Sequence, residues 1–274
     1  MDRIPIPEQD VVPLERIAAD VTGLRILLVN LFGISGPAGK WILVDSGLPH
    51  SHDHIQKWVD SHFGIGARPE FIVLTHGHFD HAGSVEWLSA DWSVPVYVHS
   101  LELPYVTGKS EYPSPDPSVG GGLMSLLSRL YPRGPVDITQ HVRVLPEDGT
   151  IPGFPDWRWI HTPGHTPGHV SLFRENDRTL IVGDAFATTK QESFLAIASQ
   201  RPELHGPPAY FTTDWDAARD SVRKLAALRP VTVAAGHGQP LCGADVADQL
   251  DRLARDFDSV ARPEHGKYVD RPAA

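Results

Sequence analysis

A chain of 274 residues has room for one two-layered α/β domain, and 41% hydrophobic residues supply a sizeable core, which excludes intrinsic disorder. Its 34 acidic against 24 basic side chains leave a formal net charge of −10, so the chain is a poor nucleic-acid binder. No run of about 18 apolar residues predicts a membrane span, and the single cysteine, Cys242, excludes an intramolecular disulfide and reads as a small packing residue.

In chain order, the opening residues carry no charged-then-apolar signal pattern, so a cytoplasmic location is expected. Strands are predicted near residues 24–32 and 41–44, then a short helix around 52–62. Residues 70–74, Glu-Phe-Ile-Val-Leu, read as a short buried strand. A helix is expected from near His81 and a strand at 95–98. Further strands fall near 142–145, 157–160, 170–173 and 180–182. A helix follows over roughly 214–228, with Thr213 as its N-cap and Trp215, Ala218, Val222 and Leu225 as its apolar stripe. Pro230 stops it before a strand at 231–234. The last helix carries Val246, Leu250, Leu253, Phe257 and Val260 at spacings of four and three, a core-facing stripe. Two similar halves emerge with no strong linker between them. Sheets packed together with helices outside, a four-layer αββα sandwich of the α/β class in a single domain of residues 1–274, fit this order.

Two segments read as insertions. Residues 101–141 combine Pro and Gly turns with the apolar run Leu123-Met124-Ser125-Leu126-Leu127, which is either a lid or a surface excursion packed on the sheet edge. Residues 188–213 leave a strand end and are expected to line a pocket, with Phe186, Phe194 and Tyr210 as its apolar wall. His50, His52 and His54 read as solvated residues at a helix start, with a third metal site as the alternative. His161 and His169 read as makers of structural hydrogen bonds, and Trp157 and Trp159 as sheet packing.

The most informative stretch is Thr75-His76-Gly77-His78-Phe79-Asp80-His81, three imidazoles and one carboxylate on the loop leaving a strand. That mixture suits Zn²⁺ and similar borderline metals. The pattern recurs: His165, Asp184 and His237 each follow an apolar strand. Open α/β sheets place their ligands outside such C-terminal ends. Seven candidates exceed the needs of one tetrahedral zinc and suffice for two metals sharing a carboxylate.

The order His-x-His-x-Asp-His, then a lone His, a lone Asp and a last His, resembles the metallo-β-lactamase-fold hydrolase superfamily over about residues 43–238. The resemblance implies that His76, His78 and His165 hold one metal. Asp80, His81 and His237 hold the second, and Asp184 bridges both. It also implies that Asp45 supports the ligand loop. Two Zn²⁺ per chain are expected, with Fe or Mn as other occupants, and a metal-bridging hydroxide as nucleophile. Asp80 then orients that nucleophile and passes a proton to the leaving group. His78 stands where the oxygen-reducing diiron branch has Glu, which favours hydrolysis. The acidic composition argues against the nuclease branches. Lactonases of the family carry a Tyr three residues after the bridging Asp. Ala187 stands there in this chain, so Tyr210 either supplies the hydroxyl from another loop or packs against Trp215. Only 37 residues follow His237, so the match to glyoxalase II, with its helical C-terminal domain, is partial. The expected function is a cytoplasmic dinuclear zinc hydrolase of small esters, lactones or thioesters, with a small-molecule substrate and neither nucleic acid nor membrane as partner. A mononuclear-iron persulfide dioxygenase and a zinc β-lactamase are the alternatives. The sequence sets no oligomeric state.

Overall fold

A computed structural model describes residues 6–119, 122–134, 136–189 and 203–273. The chain forms two compact units, Met1–Tyr112 with Gly134–Leu145, and Pro113–Arg133 with Pro146–Ala274. Each has one sheet, so the expected α/β class with two sheets and helices is what the chain adopts.

The first unit has a seven-stranded sheet in sequence order: β1 Val11–Ala18, β2 Val21–Ile26, β3 Val29–Ser35, β4 Trp41–Val44, β5 Ile72–Val73, β6 Val96–Val98 and β7 Val142–Val144. Neighbours are antiparallel as far as β4 and parallel from β4 to β7. The apolar run predicted as one strand near 24–32 is a hairpin. Ile26 pairs with Val29, and Leu27 (φ 57°) and Leu28 form a two-residue turn that is 41% and 36% exposed. A turn of two leucines carries no Gly or Asn signal, so hydropathy alone reads straight through it. The edge strand β1 was not anticipated, because Pro13, tolerated only where no ladder bond is needed, breaks its pattern.

Two helices make the parallel crossovers, α1 His52–Phe63 between β4 and β5, and α2 Val85–Trp92 between β5 and β6. Ile55, Trp58 and Val59 of α1 and Val85 and Leu88 of α2 are buried with Leu43, Ile72 and Val96 of the sheet. The second helix begins four residues later than expected. His81 N and Ala82 N both bond His78 O (3.0 and 2.8 Å), and Gly83 N turns away to Gly47 O (2.9 Å). The ligand segment is thus wound into a tight loop, and helix starts only beyond it.

The second unit holds β8 Trp157–His161, β9 Val170–Arg174, β10 Thr179–Gly183, β11 Thr232–Ala235 and β12 Leu241–Cys242, in the order β12-β11-β10-β9-β8. Only β10 and β11 are parallel. Cys242 is exposed, which corrects its reading as a packing residue. It lies on the two-residue edge strand opposite Thr232, where there is no further strand to cover it. The short helices α3 Leu103–Val106 and α4 Gly122–Leu127 fall within residues 101–141, which divide between the two units. The side chains of Leu123 and Met124 lie outside the described residues. Then come α5 Trp215–Ala226 and α6 Val246–Val260. The α5 stripe Trp215, Ala218, Val222 and Leu225 is buried throughout. On α6 the stripe is buried up to Phe257, but Val260 is 64% exposed, because the helix ends there and runs off its support. Among the described residues no helix is long and apolar enough to cross a membrane.

The cap of α5 is Asp214, one residue after the expected Thr213. Its side chain accepts from Ala217 N at 2.9 Å, which satisfies one of the helix's unpaired first-turn amides. Asp214→Ala should therefore lower stability by about 1 kcal/mol, read as a shifted urea midpoint with unchanged slope.

Candidate metal centre

In the first unit the donors follow from the parallel step. Because β4 and β5 run side by side in the same direction, both C-terminal ends emerge at one edge. There β4 runs into Asp45, in the left-handed region (φ 63°) and 1% exposed, and β5 runs into residues 75–81. One carboxylate organises that loop. Asp45 Oδ1 accepts from Thr75 N (2.7 Å), and Oδ2 accepts from His81 Nδ1 (2.8 Å) and Thr75 Oγ1 (2.9 Å). Thr75 spends its only proton on Asp45, so its Oγ1, 3.1 Å from His76 Nδ1, is the acceptor for that ring's N–H. Both imidazoles therefore keep Nε2 as a bare lone pair, the state a metal requires. His76 and His81 are fully buried, His78 is 4% exposed and Asp80 is half-buried. The His76 ring centroid lies 4.7 Å from that of His78 and 4.3 Å from that of His81.

The same loop is held at its centre by two residues that sequence reasoning missed. Gly77 N donates to Glu102 Oε2 (3.0 Å) and Tyr112 Oη (2.9 Å), and Tyr112 Oη in turn donates to Glu102. The Tyr112 ring stacks on Tyr105 and sits 4.4 Å from the His78 ring. Burial first, then the adjacent Glu102 carboxylate, pushes the Tyr112 phenol well above its usual range, so it stays a donor. A Cβ at residue 77 would lie 2.7 Å from Tyr112 Oη and 2.8 Å from Val106, so only glycine fits between the imidazoles. Glu102 and Tyr112 lie 25 and 35 residues from Gly77, beyond the reach of any local pattern.

In the second unit, β8, β10 and β11 all point one way, and each delivers its donor at the same edge. Gly236 N bonds Gly183 O (2.9 Å), which sets Asp184 beside His237. His237 Nε2 is 3.2 Å and His165 Nε2 3.5 Å from Asp184 Oδ2, all three residues being buried. Thr212 Oγ1 donates to Pro208 O (2.9 Å), so it accepts from His165 Nδ1 at 3.3 Å, and again Nε2 is left bare. Gly164, at φ 133°, lets this loop press on α5, where a Cβ would run into Ala218.

His169 does more than the structural bonding expected of it. Asp184 N donates to His169 Nε2 (2.8 Å), which forces the proton onto Nδ1. Nδ1 then donates to Thr162 Oγ1 (2.9 Å), Thr162 to Ser171 Oγ (3.0 Å) and Ser171 to Val182 O (2.9 Å). The chain is buried and runs in one direction only. His161 bonds Pro167 O (2.8 Å), as expected of it.

Tyr210 is buried in a 3-10 turn, Ala209–Phe211, its ring centroid 6.2 Å from Tyr131 and 5.0 Å from Phe211. Phe186 is buried, whereas Phe194 and residues 190–193 lie outside the described residues. Trp157 is buried under Arg174, and Trp159 donates to Pro146 O (2.8 Å), so both pack as expected. His52 departs from the solvated reading, since it is buried and stacks on Trp87 at 4.2 Å. Among the described residues, His50, His52 and His54 join no metal-type cluster.

Buried imidazoles whose Nδ1 is already committed to an acceptor, with carboxylates among them, fit a divalent transition metal. The model of the metallo-beta-lactamase superfamily matches residues 27–237. The probable metallo-hydrolase YflN of Bacillus subtilis (strain 168) is 46% identical over 245 residues, 89% of this chain and 93% of that one. An N-acyl homoserine lactonase of Bacillus cereus is 24% identical over 52% of this chain and 56% of its own. Among solved structures, a B3 metallo-beta-lactamase with an active-site glutamic acid superposes with a TM-score of 0.61 at 18% identity, covering 89% of this chain and 88% of that one. The chain belongs to the metallo-beta-lactamase superfamily and is a metallo-hydrolase of that fold.

The His169 relay yields a stability test. Truncating it leaves the buried Asp184 amide without its acceptor and the Thr162 hydroxyl without its donor, the latter keeping only its bond to Ser171. His169→Ala should cost about 1–3 kcal/mol in metal-stripped protein, measured by urea unfolding in the presence of chelator.

Proposed function

We propose that this metallo-hydrolase is a cytoplasmic dinuclear enzyme acting on small esters, lactones or thioesters. The observation that carries the proposal is the double set of pre-oriented donors, with Nδ1 of His76, His81 and His165 each held by an acceptor and Asp184 facing two imidazoles. In this reading His76, His78 and His165 would hold one ion and Asp80, His81 and His237 the other, with Asp184 available to both and zinc as the expected metal ahead of iron or manganese. The ions supply Lewis acidity and a water of lowered pKa.

The chain's own residues do the rest. Asp45 and Thr75 hold the rings in the ligating tautomer. Half-buried Asp80, 3.9 Å from His81 Nε2, would orient the nucleophile and pass a proton to the leaving group. Tyr210 donates to the developing oxyanion in place of the hydroxyl that Ala187 lacks. An ester or lactone substrate is supported by the likeness to the N-acyl homoserine lactonase. The 101–141 segment acts as a lid, its short helix α4 reading long acyl chains.

Elemental analysis of protein produced with zinc should give about two equivalents. His165→Ala should lose metal and ester hydrolysis together. Asp80→Asn should lose about 10²–10⁴-fold in rate with far less metal lost. Tyr210→Phe should lower kcat for lactones by about 10²–10³ with metal content intact. A limit of one iron, with oxygen-dependent turnover of a persulfide, would overturn the hydrolase reading.

A further inference from the structure

A cavity of about 510 Å³ lies wholly within the second unit and contains none of the metal donors. Its wall includes Arg129, Arg133, Lys267, Asp116, Ser114 and Ser118. Three cations against one carboxylate give this hollow a net charge of +2, in a chain whose total is −10. A concave surface of one sign concentrates counter-ions far more than the same charges spread on a convex face.

The wall is built by contacts distant in sequence. Asp116 is 6% exposed. Its Oδ1 accepts from Ser118 N (3.0 Å) and Ser118 Oγ (2.5 Å), and its Oδ2 accepts from Lys267 N. Burial alone would raise the Asp116 carboxyl, but these bonds and the Lys267 charge outweigh it and hold the group below its usual range. Its lone pairs are thus spent on wall hydrogens. The tail turn carrying Lys267 fits closely. A Cβ at Gly266 would collide with Val119 and lie 2.9 Å from Asp116 Oδ2. Tyr268 Oη donates to Ser114 O (2.8 Å), and Lys267 Nζ donates to Ser114 Oγ (2.6 Å) while lying over the Tyr268 ring. Because Ser114 Oγ accepts there, it retains its own proton to give away. Arg129 makes no ion pair among the described residues. Pro115 and Pro117 stiffen the rim by fixing φ.

These donors share one complement. Guanidinium groups bind oxyanions through paired N–H bonds, and a phosphate monoester carries about −1.5 to −2 charge near neutral pH, matching the local excess. The volume lies within the range of about 300–1,000 Å³ usual for small-molecule sites. We infer that this cavity binds a phosphorylated small molecule, with Arg129, Arg133 and Lys267 on its phosphoryl group and the Ser114 hydroxyl as a fourth donor.

Isothermal titration of inorganic phosphate into the full-length, metal-loaded protein at low ionic strength tests this. Phosphate can also reach the metals, so the decisive comparison is with the double variant Arg129→Ala/Arg133→Ala, whose zinc content and circular dichroism spectrum should match the parent's. The parent should show saturable binding that weakens with added salt. The double variant should bind about tenfold more weakly or worse. Equal affinity in the two proteins, or no saturable binding to the parent, overturns the site. Succinate binding as tightly as phosphate overturns the phosphoryl assignment. If the double variant does not fold, phenylglyoxal labelling of the parent replaces it. Phosphate should protect Arg129 and Arg133 from modification, and failure to protect them defeats the proposal.

Discussion

The Asp45 carboxylate is the contact on which the ligand loop depends. An ion removed from water is tolerated only when its lone pairs are fully used, and Asp45 uses them on Thr75 N, Thr75 Oγ1 and His81 Nδ1. Those bonds fix the path of the backbone leaving β5, the orientation of the His81 ring, and through Thr75 the tautomer of His76. The strained φ of Asp45 is the cost of turning its carboxylate back across the end of the neighbouring strand. With Glu102 and Tyr112 gripping Gly77 from the other side, the loop carries three imidazoles in a shape that its own hydrogen bonds would not maintain.

The second unit reaches the same end by different means. Its donors sit one or a few residues beyond three strands that point the same way, so the sheet itself aligns them. Fine adjustment falls to neutral groups. Thr212 sets the His165 tautomer, and the His169–Thr162–Ser171 relay holds the Asp184 amide. Each hydroxyl in these chains donates once and accepts once, which leaves no freedom to invert the direction. Both units thus present Nε2 lone pairs without spending a charged residue on every ring.

Charge is distributed as unevenly as the hydrogen bonds. The chain is acidic overall, yet the loop around Asp116 and the tail around Lys267 gather cations about one hollow. That gathering joins residues 151 positions apart and depends on Gly266 for its closeness.

The sequence alone picked out the candidate donors, because residues suited to a metal at a strand end are written locally. The His-x-His-x-Asp-His spacing and the single His or Asp after each apolar run need no knowledge of distant contacts. It also determined most strands and the long amphipathic helices, whose buried faces repeat with a fixed period. Tertiary structure alone decided the rest. The Leu27–Leu28 turn is invisible where hydropathy does not change, and α2 begins late because the ligand loop consumes the turn before it. Cys242 is exposed because β12 is an edge, and His52 is buried because Trp87 arrives from another helix. Glu102, Tyr112 and His169 acquire their roles from partners 15 to 35 residues away. Hydrogen-bond direction and burial are properties of the assembled neighbourhood, and a residue type alone does not specify them.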